Sequence, residues 1–236
     1  MKIIVDERMR QIEKQKLKEL GYDLIDIKQS EKVYPEISSH VDIFTCKIGD
    51  VLIVEPSQYE QIKSKLTSEN KIISGQENIS LKYPYDIKYN VCTIGQKAIH
   101  NFQHTDSTIK EELIKQGFEF INTTQGYTNC SIAVIDENSA IVTDKGLYKI
   151  LQKYNIEVLY LEYELDIKLL NNNGYSKKKG FIGGAISRIG NEIIIFGDLN
   201  KIDKDNKIRS FITNKHLNII EFKNLDVIDY GGIVEL

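Results

Sequence analysis

The chain has 236 residues, 31 of them Lys or Arg and 34 Asp or Glu, for a formal net charge of −3. With 41% hydrophobic and 28% charged residues it is long and apolar enough to bury a core, which excludes disordered, collagenous and fibrous classes. It lacks a basic footprint for nucleic acid, and three Cys without a CxxC pair exclude a disulfide framework or a zinc ribbon.

From the start of the chain, residues 1–5 read as a strand. Asp6 and Glu7 follow before a signal-peptide apolar run forms, and no stretch approaches the roughly 20 apolar residues of a membrane span. A cytoplasmic protein without membrane contact is expected. Asp6 reads as the cap of a helix through Leu20, with Gly21 at C′ and a strand over 22–27.

Residues 40–54 form two short strands about a Gly49-Asp50 turn, then a helix announced by Pro56 and Ser57, then a strand over 71–74. The order recurs. Residues 89–99 turn at Gly95-Gln96, Asp106 and Ser107 open a helix that ends before Gly117, and 118–121 close the unit. A third copy runs from Cys130 through the Glu137-Asn138 turn to Val142, a helix whose N-cap Thr143 and Asp144 supply, and a strand over 156–160. A fourth runs from Gly183 through Gly190-Asn191 to Phe196, a looser helix, and a strand over 217–222.

The copies keep register, with 46 residues from Gly49 to Gly95, 42 from Gln96 to Asn138 and 53 from Asn138 to Asn191. Residues 229–236 repeat the opening of the fourth copy, with 48 residues from Gly183 to Gly231, and stop where a helix and last strand are due. The N-terminal segment supplies that missing half. A single α/β domain over 1–236 is therefore expected: five strand-strand-helix-strand units, the fifth split between the termini, closing a five-fold pseudo-symmetric ring. A generic doubly wound α/β sheet is the competing architecture, and it fits the paired strands before each helix poorly.

A ring of such units resembles the pentein fold, the α/β propeller of the guanidino-group-modifying enzymes. That superfamily includes arginine and agmatine deiminases, dimethylarginine hydrolases, amidinotransferases and a non-catalytic ribosome anti-association factor. The strings that carry the likeness are His40-Val41-Asp42, Gly126-Tyr127-Thr128-Asn129-Cys130, Gly180-Phe181-Ile182-Gly183-Gly184 and Asp229-Tyr230-Gly231-Gly232. They resemble an uncharacterised branch. The resemblance implies a Cys thiolate that attacks a guanidinium carbon, a His from an HxD string that shuttles the proton, and carboxylates that hold the cation. It implies a small cationic substrate and neither an organic cofactor nor a metal. In many deiminases the nucleophile follows a glycine run in the last unit. Here Gly231-Gly232 is followed by Ile233, Val234, Glu235 and Leu236, and Ile182 stands where a Glu would precede the Gly183-Gly184 pair.

Counting back from the turns aligns Asp42, Lys88, Cys130 and Gly183 at the start of successive first strands, so Asp42 and Cys130 are expected to share one face of the ring. Cys130 is the candidate nucleophile, beginning an apolar strand; its bland reading is a small buried hydrophobe. His40 and Asp42 would lie on one face of a strand as proton shuttle and cation or His holder, or else be a loop His and a turn cap. Asn129, Gly183, Gly184, Asp229 and Gly231 are candidate substrate-binding positions, although the glycines also suit plain crowding at a ring axis. Cys46 and Cys92, at matched positions, read as wall packing. His100 and His104 read as solvent-facing residues at the start of a helix, since no third metal ligand lies near. The run Lys177-Lys178-Lys179 reads as a solvated loop or a mobile lid. Two functions remain open: a cysteine-dependent hydrolase or amidinotransferase, and a non-catalytic pentein that binds a small molecule or protein. The oligomeric state is not written in the sequence.

Overall fold

The computed structural model describes residues 1–236. Five three-stranded sheets share one construction. The first joins β1 (Lys2–Asp6) to β2 (Asp23–Ile27) through helix α1 (Gln11–Glu19). The next contains β3 (Thr45–Ile48), β4 (Val51–Val54), helix α3 (Pro56–Lys63) and β5 (Lys71–Ser74); α2 is the single turn Val41–Phe44. Then come β6 (Cys92–Ile94), β7 (Lys97–His100), α4 (Ser107–Lys115) and β8 (Glu119–Asn122). After a second single turn, α5 (Thr128–Ser131), follow β9 (Ile132–Asp136), β10 (Ser139–Val142), α6 (Lys145–Lys153) and β11 (Glu157–Tyr160). A hairpin, β12 (Lys168–Asn171) and β13 (Gly174–Lys179), and a third turn, α7 (Ile182–Ala185), precede β14 (Ile186–Ile189), β15 (Glu192–Ile195), α8 (Lys207–Thr213) and β16 (Asn218–Ile220). Last comes β17 (Val234–Glu235).

In each of the four internal sheets the first two strands pair antiparallel and the third adds parallel to the second. The chemistry of the connections dictates this. Tight hairpins turn at Gly49, Gly95 and Gly190, all at positive φ, whereas a parallel neighbour needs a crossover long enough for a helix. Helix starts carry side-chain caps: Asp106 accepts from Thr108 N at 2.9 Å and Asp144 from Leu147 N at 2.7 Å. The fifth sheet is made by the two ends of the chain. Its β17 runs antiparallel to β1, with Ile3 opposite Glu235 and Ile4 opposite Val234. The apolar faces of helices and sheets meet between the units, where Ile53, Ile62, Ile109 and Leu113 are fully buried in one cluster. Each such side chain contributes about 2 kcal/mol.

Several sequence expectations are corrected. Asp6 does not cap α1, which begins only at Gln11; its carboxyl instead holds Arg8 and Ser39. Residues 177–179 are not a loop but the end of β13, whose charged face lacks the alternation that would have marked a strand. His100 is not solvent-facing: it ends β7 fully buried, with ring nitrogens 2.6 Å from Thr105 Oγ1 and 2.9 Å from Gly126 O. The largest correction concerns the starts of β3, β9 and β14. His40-Asp42, Cys130 and Gly183-Gly184 lie on the single helical turns α2, α5 and α7, not on strands. Likewise Gly231-Gly232 precedes β17 and lies outside it. At β3 the reason is visible. Pairing with β4 ends where Glu55 N donates to Phe44 O at 2.8 Å. The chain before Thr45 has no strand of its own sheet to pair with, so some of its polar groups close in a turn, with Ile43 N on His40 O at 3.2 Å and Thr45 Oγ1 on Val41 O at 2.7 Å, and others bond to residues 230–231.

Candidate functional site

The three helical turns and the segment 229–232 converge. Asp42 N donates to Gly231 O at 3.2 Å, Val41 N to Tyr230 O at 3.3 Å, and both Tyr230 N and Gly232 N to Gly184 O at 3.0 Å. A methyl on Gly184 would overlap Asp229 Oδ1, and one on Gly183 would meet the carbonyls of Asn129, Cys130 and Ile132. Gly231, at φ +69, leaves room for Asp42 Oδ1 and His40 Cβ, each 2.6 Å from where its own Cβ would stand. These glycines let one backbone approach another.

That packing gathers Cys130, Asp42, His40 and Asp229 within one buried cluster. Cys130 Sγ donates to Asp42 Oδ2 at 2.9 Å and accepts from Asn90 Nδ2 at 3.1 Å. Asn129 Nδ2 makes a long contact of 3.5 Å to the same Asp42 oxygen. His40 Nδ1 lies 3.6 Å from Asp229 Oδ1. Asp229 is held by Phe181 N at 2.8 Å and Gly231 N at 2.9 Å. Both ring nitrogens of His40, and Asp42 Oδ1, are buried without a hydrogen-bond partner. No Lys or Arg reaches either carboxyl. His40, Cys130 and Asp229 form the floor of a cavity of about 230 Å³.

Burial sets the protonation of the cluster, and the two acids reinforce it. The Asp42 carboxyl is pushed up to about 7 by burial and by Asp229 beside it. Burial and the charges of Asp42 and Asp229 drive the Cys130 thiol well above its ordinary value, so the free site does not hold the thiolate that the resemblance implied. Burial lowers the His40 pKa despite the opposing pull of Asp229 and Asp6, leaving a neutral imidazole at pH 7. Cys46 is pushed up to about 12 by burial, as suits a side chain in the wall.

Several residues here were not singled out from the sequence. Counting back from the turns pointed to Lys88, which instead pairs with Glu77 at 2.7 Å. The residue that reaches the site is Asn90, whose Oδ1 also accepts from Asn129 N at 2.9 Å. Its signal was distance to the strand rather than to the turn: Asn90 stands two residues before β6, as Cys130 does before β9. Tyr127 and Phe181 line the cavity, and Tyr127 Oη donates to the buried Asp86 at 2.5 Å.

Solved structures with this fold include three enzymes. DDAH from Pseudomonas aeruginosa, a cysteine-to-serine mutant complexed with citrulline, superposes with a TM-score of 0.57 at 12% identity over 95% of this chain and 91% of its own. C. jejuni agmatine deiminase gives 0.51 at 12% identity over 94% and 75%. An inosamine-phosphate amidinotransferase from Streptomyces griseus gives 0.53 at 11% identity over 94% and 75%. All are pentein superfamily members, and this chain shares their mixed α/β fold. Curated proteins give no sequence match. Residues 4–234 match the model of the "Family of unknown function (DUF6873)", and the chain belongs to that family.

Proposed function

We propose that the five sheets close into a ring, an α/β propeller, whose cavity modifies a small guanidino or amidino compound through Cys130, as a hydrolase or amidinotransferase. The observation that carries this reading is the pair of buried carboxyl groups, Asp42 and Asp229, placed beside a thiol and a neutral His with no cationic side chain to match them. A planar cation supplies the missing partner, since carboxylates fit its fork of donors. Its positive charge also offsets the two charges that keep the thiol protonated. The names of the solved neighbours, deiminase and amidinotransferase, support the same kind of chemistry.

In this mechanism the Cys130 proton passes to a free nitrogen of His40 as Sγ bonds to the amidinium carbon. Collapse breaks a carbon–nitrogen bond, and the imidazolium returns that proton to the leaving nitrogen. Water or an amine then attacks the S-amidino intermediate and regenerates the thiol. Asp229 holds the cation at the floor of this cavity and Asp42, bonded to the Cys130 thiol, adds its charge from behind. Gly184 keeps the backbone close, while Asn129, Gly183 and Gly231 line a separate cavity beside Ser187 and Arg188. A second reading, binding without turnover, draws on the raised thiol and on Ile233, not Cys, directly following Gly231-Gly232.

Alkylation of Cys130 separates the two, followed by mass spectrometry with Cys46 and Cys92 as internal references. Cationic 2-chloroacetamidine is expected to label Cys130 at least ten times faster than neutral chloroacetamide, an advantage lost in His40→Ala. Equal slow labelling by both reagents refutes the nucleophile and leaves the binding reading.

A further inference from the structure

Above its floor the cavity changes character. The wall is apolar: Tyr34, Ile37, Tyr127, Leu169 and Phe181. The Tyr127 and Phe181 rings lie 6.2 Å apart at 26°, and Tyr83 continues the row 5.9 Å from Tyr127. Tyr34, Tyr83 and Phe181 keep 38%, 44% and 39% of their surface exposed, so the aromatic row runs from the buried site to solvent.

The cations at the rim are already engaged. Lys178 Nζ lies 3.2 Å from Glu36 Oε1 and 5.1 Å over the Tyr34 ring, and Lys179 pairs with Asp166. Glu36 is pinned in turn by Ser176 Oγ at 3.0 Å. A ligand carboxylate would therefore lose its water beside aromatic faces and Asp229, with no unpaired cation to receive it. An uncharged ring or branched alkyl group gains instead by stacking and by leaving water. Size agrees. A cavity of about 150 Å³ accepts benzene, and this one, at about 230 Å³, has room for such a group joined to an amidinium.

We infer that the ligand of this site is a planar guanidinium or amidinium carrying a compact, uncharged aryl or branched-alkyl group, and not a guanidino acid. The inference rests on the guanidine reading of the floor and specifies what the wall selects.

Calorimetric titration of the intact chain with phenylguanidine, L-arginine and guanidinium chloride tests it. Phenylguanidine is expected to bind at least about ten times more tightly than L-arginine. Phe181→Ala should weaken phenylguanidine several-fold and change guanidinium little. L-arginine binding as well as or better than phenylguanidine overturns the inference, and loss of that affinity in Lys178→Ala/Lys179→Ala would show that the rim lysines receive its carboxylate. Binding of none of the three also overturns it. The catalytic reading fails separately. Phenylguanidine binding with Cys130 inert to 2-chloroacetamidine keeps the ligand class and removes the nucleophile. Rapid labelling with a preference for L-arginine does the reverse.

Discussion

Asp42 is the residue on which the site's chemistry turns, because its carboxyl is fully inside and has only a thiol and an amide as side-chain partners. Its pKa of about 7 stands far above the value near 3.9 of an unfolded chain. Between about pH 4 and 7 the folded protein keeps a proton that the unfolded chain releases. The group therefore stabilises fully below pH 4, and that contribution is lost as pH rises through 7. Asp42→Asn is expected to gain stability over the parent across this window, by at most on the order of 4 kcal/mol above pH 8. Thermal melts of the two proteins from pH 4 to 8 check this, and a constant difference would count against a titrating Asp42. The same ionisation should make guanidinium bind more tightly as pH rises from 6 to 8 in the parent, and weakly without pH dependence in Asp42→Asn, read by titration calorimetry.

At the scale of elements, the site depends on α7 seating against α5. Gly183 and Gly184 were legible as close-approach positions, but not as parts of a helical turn. The string Ile182-Gly183-Gly184-Ala185 carries no helix propensity worth naming; the turn forms because the chain there has outrun its strand partner. Gly183→Ala drives a methyl into three backbone carbonyls that have nowhere to move, so a loss of roughly 3 kcal/mol is expected. Gly184→Ala presses on the Asp229 side chain and should also abolish guanidinium binding. Urea unfolding of the pair measures the first effect and titration the second. Asp106 tests the other kind of element signal, the cap read directly from sequence. Its carboxyl accepts from Thr108 N at 2.9 Å and from Gln76 N and Glu77 N at 3.0 and 2.8 Å. It thus ties the start of α4 to the preceding unit. Asp106→Ala is expected to lower stability by about 2–3 kcal/mol, more than an isolated cap would cost. A urea unfolding free energy within about 0.5 kcal/mol of the parent would show that the ties are dispensable.

Over the whole molecule, the junction of β17 with β1 unites the two ends of the chain in one sheet. Leu236 N donates to Lys2 O at 3.0 Å, and Ile233 N to Ser187 Oγ at 3.0 Å, so the last residues bind two different sheets at once. Removing 233–236 is expected to lower the unfolding midpoint of the entire chain while leaving a single transition, since the site segment 229–232 is anchored between α2 and α7. Denaturation followed by far-ultraviolet circular dichroism and by tyrosine fluorescence checks it. Separate midpoints from the two probes would mean that the units unfold independently.

Sequence alone determined a mixed α/β chain, the caps at Asp106 and Asp144, and the pairing of the terminal segments. All of these follow from local backbone preferences and from periodicity, which a one-dimensional string records. It also singled out Cys130, His40, Asp42 and Asp229 by residue type. Tertiary structure decided the rest. Only packing reveals that the turns α2 and α5 and the segment 229–232 present these side chains, that Asn90 rather than Lys88 reaches the thiol, and that β13 brings paired lysines to the rim. Protonation belongs to the same class. Whether Cys130 is a thiol or a thiolate depends on buried charges 88 and 99 residues away in the chain, and burial is a property of the assembled molecule.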